Sequence, residues 1–264
     1  MTKFPEWLRL KLPDKKVPPE MIALLKEFNL NTVCQSARCP NIGKCFSHKR
    51  ATFMILGEIC TRHCSFCAVK KGAPVPVNDE EPESIAKACV KLGIQHAVIT
   101  SVTRDDLPDG GALLFYRVIK EIKKLNNKTI VEVLTPDFKE NNASLRIIAE
   151  AFPDIFNHNV ETVPSLYEYI RPEADFKRSL RVLKKIKKFN SKIFTKSGIM
   201  VGMGEKEEEV YGVMMDLRKA GCDILTIGQY LQPTTAHFPV KEYLTPEIFC
   251  EYKEMALNMG FKYV

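Results

Sequence analysis

The cysteines constrain this chain more than any other feature. Nine occur among 264 residues, and six of them lie between positions 34 and 67. The chain begins Met-Thr-Lys-Phe-Pro-Glu-Trp, unlike a secretion signal or a transit peptide, and no stretch approaches the ~20 apolar residues that span a bilayer. We therefore expect a cytoplasmic protein with reduced thiols. In such a protein an odd total of cysteines argues against a disulfide framework, and a cluster of reduced thiols indicates metal or redox chemistry.

Short apolar runs alternate with segments of helical period from residue 51 onward. The runs are Thr52–Leu56, Ile94–Thr100, Ile130–Leu134, Ile155–Val160, Ile193–Val201 and Ile224–Ile227. Between them, apolar residues recur at steps of three and four, which is typical of amphipathic helices. This alternation predicts an α/β fold, either an open doubly wound parallel sheet or a partial (β/α) barrel. In both folds, ligands bind at the carboxyl ends of the strands.

Three cysteines directly follow the first apolar run, in the order Cys60-Thr-Arg-His-Cys64-Ser-Phe-Cys67. Structural zinc needs four ligands, so this C-x3-C-x2-C spacing leaves a zinc site one ligand short. Three thiolates on one compact loop also suit a 4Fe-4S cube, in which one iron then stays open. An open iron points to catalysis rather than to a structural site.

This triplet resembles the signature of the radical S-adenosylmethionine (SAM) superfamily. A second match is Gly198-Ile-Met-Val-Gly202-Met-Gly-Glu205 on the fifth run, with Met200 where the superfamily motif has isoleucine. The resemblance implies a partial (β/α)6 radical SAM barrel in which Cys60, Cys64 and Cys67 hold a 4Fe-4S cluster that binds SAM. It also implies a set of SAM-binding residues near the ends of the strands. These are Phe66, Ser101, Thr103, Asn157, Asn159, Glu161, Gly198, Met200, Gly202 and Glu205.

Some of these polar residues also have a structural interpretation. Asn157, Asn159 or Glu161 could cap local structure. The aspartates of Asp105-Asp-Leu-Pro-Asp109, closed by two glycines, could form only a turn and a helix cap.

The first triplet, Cys34-Gln-Ser-Ala-Arg-Cys39-Pro-Asn-Ile-Gly-Lys-Cys45, is a weak pattern alone and is compatible with zinc or core thiols. Placed 15 residues before the second triplet, it resembles the lipoyl synthase family. Further matching segments are Ser101–Gly111, Phe156–Thr162, Tyr230–Thr234 and His237–Val240. The resemblance implies that Cys34, Cys39 and Cys45 hold a second, auxiliary 4Fe-4S cluster, on an N-terminal extension to the barrel.

The resemblance further implies a sulfurtransferase reaction. Two sulfur atoms, drawn from the auxiliary cluster, enter carbons 6 and 8 of an octanoyl group on a carrier lysine. Alkyl C–H bonds are not acidic, so a cofactor must perform the hard step, and we expect no catalytic side chain beyond the cluster ligands. The implied partners are octanoylated lipoyl carrier domains of 2-oxoacid dehydrogenases or the H protein of glycine cleavage. A low-potential electron donor such as ferredoxin or flavodoxin is also implied, and neither nucleic acid nor membrane is.

We divide the chain into an extension with the auxiliary ligands (1–50), a barrel (51–240) and a C-terminal segment (241–264) with a helix over Pro246–Met259. Family members end in an Arg-Ser-Ser-Tyr segment whose serine is a fourth auxiliary ligand. Phe261–Val264 reads as a strand cut mid-run, so we expect the natural chain to continue. The remaining cysteines are expected to be buried core thiols: Cys89, Cys222 and Cys250.

Charge suggests a docking surface and a competing function. The net charge is +7, and residues 177–204 hold nine Lys or Arg and no acid, either as a solvated helix face or as a patch for an acidic partner. A metal-stapled nucleic-acid-binding module would use such charge, but it leaves Gly198–Glu205 unexplained. Another sulfur-inserting radical SAM enzyme is a second alternative. The position of the first triplet, before the second, argues against it.

Overall fold

The computed structural model describes residues 5–8, 19–36, 42–47 and 52–264, and these residues form nine strands and ten α-helices. The strands are β1 (Asn31–Thr32), β2 (Thr52–Ile55), β3 (Ile59–Cys60), β4 (Lys70–Lys71), β5 (His96–Ser101), β6 (Ile130–Leu134), β7 (Ile155–Asn157), β8 (Phe194–Val201) and β9 (Ile224–Gln229). The helices are α1 (Pro19–Glu27), α2 (Val33–Ser36), α3 (Ile42–Ser47), α4 (Glu81–Leu92), α5 (Ala112–Leu125), α6 (Asn142–Ala151), α7 (Tyr167–Ile170), α8 (Phe176–Phe189), α9 (Glu207–Lys219) and α10 (Pro246–Asn258).

The main sheet has the order β1-β2-β5-β6-β7-β8-β9. The pairs from β2 to β9 are all parallel, and β1 adds an antiparallel edge. Because the order never reverses and parallel crossovers are right-handed, every connecting helix lies on the same face of the sheet. The architecture is therefore a barrel-type fold rather than a doubly wound sheet. Since no pairing joins β9 to β1 or β2 within the described residues, the barrel is partial.

All six predicted strands are confirmed, with shifts at their ends. The fourth ends at Asn157, because the backbone then leaves the sheet and returns through a single bridge between Glu161 and Ile199. The predicted terminal strand was wrong. Within Phe261–Val264 only Tyr263 forms a bridge, to Ile224.

Apolar side chains on the outer face of the sheet pack against the helices and make one large core. Ile99, Val133 and Val201 contribute from the strands, and Phe115 and Leu183 contribute from α5 and α8. The N-terminal extension shares this core through Met21, Leu24, Leu25 and Phe46, so the described parts of the predicted regions are packed together. The boundaries at 50 and 240 remain a prediction. In the described part of the chain no helix is long and apolar enough to cross a membrane.

Polar side chains cross the inside of the barrel below its carboxyl end. The carboxylate of Glu132 on β6, 3% exposed, accepts from Lys196 Nζ at 2.8 Å and from Asn157 Nδ2 at 3.1 Å. His96 Nε2 lies 3.1 Å from its other oxygen. Side chains alternate along a strand, so the next inward positions toward the carboxyl ends include Leu134 and Asn159. The charged cluster thus forms a floor below those positions.

Candidate functional site

The second cysteine triplet and the carboxyl ends of the strands share one cavity of about 380 Å³. Cys60, Cys64 and Cys67 line it on one side. Predicted site residues from the strand ends line it as well: Phe66, Ser101, Thr103, Asn159, Glu161 and Met200. The parallel sheet therefore brings together residues that are up to 140 positions apart in the chain.

Backbone hydrogen bonds hold the cysteine loop over the mouth of the barrel. Thr61 N donates to the carbonyl of Thr103 after β5, at 3.0 Å. Ser65 N donates to the carbonyl of Ile170 at the end of α7, also at 3.0 Å. The loop thus spans from the second barrel strand to the segment that follows the fourth. Its thiols form no disulfide.

Burial controls the chemistry of these thiols. Burial raises the pKa of Cys64 and raises that of Cys67 to about 11, and the neighbouring thiols add to both shifts. The thiols of Cys64 and Cys67 are therefore protonated at neutral pH without metal, and iron must displace those two protons on binding. Among the described residues, no three His, Cys, Asp or Glu side chains are arranged to hold a single metal ion. A 4Fe-4S cube takes one ligand at each corner, so three thiols on one loop can hold it without converging on a single ion.

Four buried polar atoms on the cavity wall have no hydrogen-bond partner. They are Ser101 Oγ, Thr135 Oγ1, Asn159 Oδ1 and Arg171 Nε. Nearly all buried polar atoms in folded proteins are hydrogen-bonded, so four unpartnered atoms on residues that line one cavity favour a polar ligand there. The guanidinium of Arg171 is held in place, because Nη1 donates to the carbonyls of Asn159 at 3.0 Å and of Val160 at 3.1 Å.

Glu161 has a strained backbone at the cavity wall. Its φ is +65°, in the left-handed region that non-glycine residues rarely adopt. Hydrogen bonds on both sides maintain this conformation, since its N–H donates to Gly198 and its carbonyl accepts from Met200. Burial raises the pKa of its carboxyl group, and the nearby Arg171 opposes that shift. Such strain is often concentrated at functional sites.

Another part of the cavity wall is apolar. Phe66 and Met200 pack against a small buried cluster made of Ile170, Met203 and Tyr230. Tyr230 also donates from its hydroxyl to the carbonyl of Phe238 at 2.7 Å, which ties this wall to the segment after β9.

Four predicted site residues do not line the cavity. Asn157 belongs to the charged floor. Glu205 accepts from the backbone N–H of Gly202 at 2.5 Å and of Met203 at 2.9 Å, so it braces the loop after β8. Gly198 leaves room for the side chain of Asn159, because a methyl group at position 198 would lie only 2.9 Å from Asn159 Oδ1.

Other sequence expectations divide between confirmed and wrong. Asp109 caps α5, accepting from Gly111 N at 2.9 Å and from Leu113 N at 2.8 Å. Cys89 and Cys222 are buried as expected. Cys250 is exposed on α10, contrary to expectation. The amphipathic stripe of that helix buries Tyr252 and Ala256 instead.

Of the first triplet, Cys34 lies in the short helix α2 and Cys45 lies in α3, and both are partly buried against the main core. Cys39 lies outside the described residues. Val33, beside Cys34 in the chain, lines the same cavity as Cys60, Cys64 and Cys67.

Sequence reasoning missed several polar residues of the cavity wall, among them Thr135, His158 and Arg171. Thr135 directly follows the predicted run Ile130–Leu134, so reading the residue after each strand would have found it. Arg171 ends α7 and follows no strand, and nothing in its local sequence marks it.

His158, also at the cavity, carries a pH prediction. Burial lowers its pKa to about 4, and Nδ1 lies 2.9 Å from the Thr135 carbonyl. As the pH falls, the imidazole of His158 is protonated in the unfolded chain near pH ~6.5, before it is protonated in the folded protein. The contribution of neutral His158 to the free energy of unfolding is therefore present above pH ~6.5 and is lost as the pH falls toward 4. We expect the free energy of unfolding to fall by about 1 kcal/mol from this residue between pH 7 and 5.5. Denaturant unfolding of the parent and of His158→Gln at both pH values measures it. An equal pH dependence in the two proteins would contradict the assignment.

Comparison with known proteins agrees with this geometry. A family model described as the radical SAM superfamily matches residues 54–217. The chain is similar in fold to the methylornithine synthase PylB, with a TM-score of 0.59 at 16% identity over 92% of this chain and 81% of that one. It is also similar to SuiB of Streptococcus suis in its SAM-bound crystal structure, with a TM-score of 0.63 at 12% identity over 87% of this chain and 54% of that one.

The sequence relatives are more specific. The chain is 56% identical to a lipoyl synthase of Caldanaerobacter subterraneus subsp. tengcongensis, over 98% of this chain and 91% of that protein. It is 54% identical to a lipoyl synthase of Caldicellulosiruptor saccharolyticus, over 100% of this chain and 92% of that protein. Similarity at this level along the entire chain favours this family over other sulfur-inserting radical SAM enzymes. The chain belongs to the lipoyl synthase family of the radical SAM superfamily.

Proposed function

We propose that this protein inserts two sulfur atoms, at carbons 6 and 8, into an octanoyl group carried on a lysine of another protein. Membership of the radical SAM superfamily implies one 4Fe-4S cluster and SAM as cofactors. The finer parts of the proposal are the auxiliary cluster on Cys34, Cys39 and Cys45, the individual SAM contacts, and the partners.

The position of Val33 is the observation that carries the proposal. Its side chain lines the cavity of the second triplet, and its chain neighbour Cys34 belongs to the first. Sulfur held by the first triplet would therefore lie at the edge of the space where the second triplet binds its cluster. Sulfur insertion needs this proximity, because a carbon radical on the octanoyl chain must react with the sulfur before it reacts with any other group.

Each wall of the cavity has its own task. When bound, the cluster and SAM supply a radical able to remove hydrogen from an unactivated carbon. Cys60, Cys64 and Cys67 would hold the cluster on the loop at the mouth of the barrel. Apolar side chains give an alkyl chain a place to bind: Met54, Val69, Val102, Leu134 and Leu231.

The cavity also fits SAM. Its unpartnered atoms offer a guanidinium, an amide oxygen and two hydroxyls, which match the carboxylate, amino group and ribose of SAM. Phe66 and Met200 supply an apolar wall of the kind an adenine ring packs against. We assign Ser101, Thr135, Asn159, Glu161 and Arg171 to the polar end of SAM and assign Phe66 and Met200 to its adenine. Thr103 completes the rim next to Cys60, whose thiol accepts from Thr103 N at 3.3 Å.

Gly198 tests the assignment of Asn159. A methyl group at position 198 would lie 2.8 Å from Thr226 Oγ1 and 2.9 Å from Asn159 Oδ1, so Gly198→Ala must displace the asparagine amide. We expect SAM binding to weaken roughly tenfold, a loss of about 1.4 kcal/mol, with the fold retained. Gly228→Ala, on the adjacent strand β9, is the control, since a methyl group at position 228 has no neighbouring atom within 4 Å. Equal SAM affinity in both variants, by equilibrium dialysis, would remove Asn159 from the site.

Cysteine variants separate the two triplets. Cys60→Ala should abolish 5′-deoxyadenosine formation under low-potential reductant, because it removes a ligand of the SAM-binding cluster. Cys45→Ala should retain SAM cleavage but yield no lipoyl product, because the second triplet is intact and the sulfur source is not. Cys250→Ala, at an exposed cysteine outside both triplets, should change neither readout. Lipoyl product from Cys45→Ala would refute the sacrificial role of the first triplet.

The partners follow from the reaction. The substrate is a lipoyl carrier protein, and we propose the lipoyl domains of 2-oxoacid dehydrogenases or the H protein of glycine cleavage. A low-potential donor such as ferredoxin or flavodoxin would supply the electrons. The basic helix α8 is a candidate docking surface for the carrier. It starts five residues after Arg171, at the mouth of the cavity, because helices in this fold run back from the carboxyl ends of the strands.

The structure narrows the residues of this surface. Arg178 is bound to Asp137, and Lys185 to Glu140, so these two cations are already neutralised within the protein. Lys177, Lys184 and Lys188 are exposed on α8 and form no ion pair there. Their spacing of seven and four residues puts them on one face of the helix.

Reversing all three of these lysines to glutamate should slow association with the carrier rather than the chemistry. We expect the apparent KM for an octanoylated carrier to rise on the order of tenfold, with the KM for an octanoyl-lysine peptide unchanged. The matched control reverses Lys120, Lys219 and Lys253, which are exposed on three other helices. Equal losses on carrier and peptide would show that α8 is only a solvated face.

A further inference from the structure

Asp137 lies at the centre of a buried ion network beside the cavity. Its side chain is 1% exposed and sits between two arginines. Oδ1 accepts from Arg62 Nη2 at 2.6 Å and from Lys139 N at 3.0 Å, and Oδ2 accepts from Arg178 Nε at 2.7 Å. The preceding residue, Pro136, lines the cavity, whereas Asp137 points away into this network.

Arg62 connects Asp137 to the cluster loop. It is the central residue between Cys60 and Cys64, and its side chain is only 4% exposed. Besides Asp137, it forms a two-pronged pair with Asp105 after β5, through Nε at 2.7 Å and Nη2 at 3.0 Å. The loop is thereby tied to the ends of two neighbouring strands. Lysine could not make these contacts, because only a guanidinium has donors in a rigid fork.

Arg178 connects Asp137 to the other wall. It lies in the first turn of α8, and its Nη2 donates to the carbonyl of Glu173 at 2.9 Å. The carboxylate of Glu173 accepts in turn from the backbone N–H of His63, at 3.1 Å. Residues 171–175 therefore lie between the cluster loop and α8, and this segment begins with Arg171 of the cavity wall. One carboxylate thus joins the two elements that carry the cysteine loop and the guanidinium.

The network consists of buried charged groups, which are costly unless every charge is paired. Burial alone would raise the pKa of Asp137, but the hydrogen bond and charge of Arg62 outweigh it and hold the pKa well below its ordinary value. A buried ion pair of this kind does little for stability compared with apolar packing of the same volume, and breaking one partner leaves an unpaired charge. Its fixed geometry, on the other hand, orients both arginines at once.

We propose that Asp137 is a positioning residue that sets the cysteine loop and Arg171 at the separation needed to seat SAM against the cluster. The inference rests on the proposed function. Asp137 itself forms no hydrogen bond to Arg171 or to the thiols of the loop. It acts through Arg62 on the loop and through Arg178 on the segment that carries Arg171.

Asp137→Asn tests this role, because it keeps the size of the side chain and removes the charge. The matched control is Glu140→Gln, an acid-to-amide change in the same short turn that breaks pairs with Arg181 at 2.7 Å and Lys185 at 2.8 Å. Each reconstituted protein is assayed for iron content, for thermal unfolding and for the change in the electron paramagnetic resonance spectrum of the reduced cluster as SAM is titrated. 5′-Deoxyadenosine formation is measured in parallel.

Loss of positioning should appear as a SAM midpoint raised on the order of ten- to a hundredfold in Asp137→Asn, with iron retained and Glu140→Gln unchanged. The double variant Arg62→Gln/Asp137→Asn should be no worse than its more impaired single variant, since both changes break one connection. An unchanged SAM midpoint in Asp137→Asn, with only a lower unfolding temperature, would overturn the proposal and leave a structural ion pair. If Asp137→Asn does not fold, Arg178→Gln, at a 23% exposed side chain, is held to the same two outcomes. Failure of the proposed function is distinct, because the parent protein itself would then not cleave SAM.

Discussion

Parallel pairing of six strands in sequential order is the constraint on which the rest of this structure depends. It puts every strand's carboxyl end at one rim, so residues from distant parts of the chain meet there without any direct sequence relation. Cys60, Ser101, Asn159 and Met200 share a cavity for this reason alone. The helices cover the outer face, and four of the buried polar atoms without partners belong to residues at the rim.

Buried charge is used twice in this barrel, in two different ways. Below the cavity, Glu132 and Lys196 close the barrel with a compact polar floor. At the rim, Asp137 holds two arginines from different elements, Arg62 of the cysteine loop and Arg178 of α8. Both carboxyl groups have a pKa lowered against the effect of burial, by His96 and Lys196 in one case and by Arg62 in the other. The first network fills the inside of the barrel, and the second links the cysteine loop to the start of α8.

The accuracy of sequence reasoning varied with the range of the interactions involved. Strands and helices follow from local hydrophobic period, and their predicted bounds were within a few residues of the observed ones. The last predicted strand was wrong because its only sheet neighbour, β9, pairs with it at one residue. Cys250 was expected in the core from its helical setting, yet the buried face of α10 falls on Tyr252 and Ala256, a rotation that only packing determines. Arg178 and Lys185 were excluded from the proposed docking surface, because they pair with Asp137 and Glu140. Such long-range ion pairs cannot be read from a run of basic residues in the sequence.

The sequence by itself determined the chemistry of this protein. Thiol spacing on one loop, strand–helix alternation and the Gly198–Glu205 motif are patterns among residues close together in the chain. Such patterns can be read directly from the sequence. Tertiary structure alone decided which polar side chains of the cavity wall lack partners, and that Thr135 and Arg171 are among them. It also decided that Val33, the chain neighbour of Cys34, lines the cavity of the second triplet, and that Asp137 pairs with both Arg62 and Arg178. These relations join residues far apart in the chain, and only the register and packing of the barrel bring them within hydrogen-bonding distance.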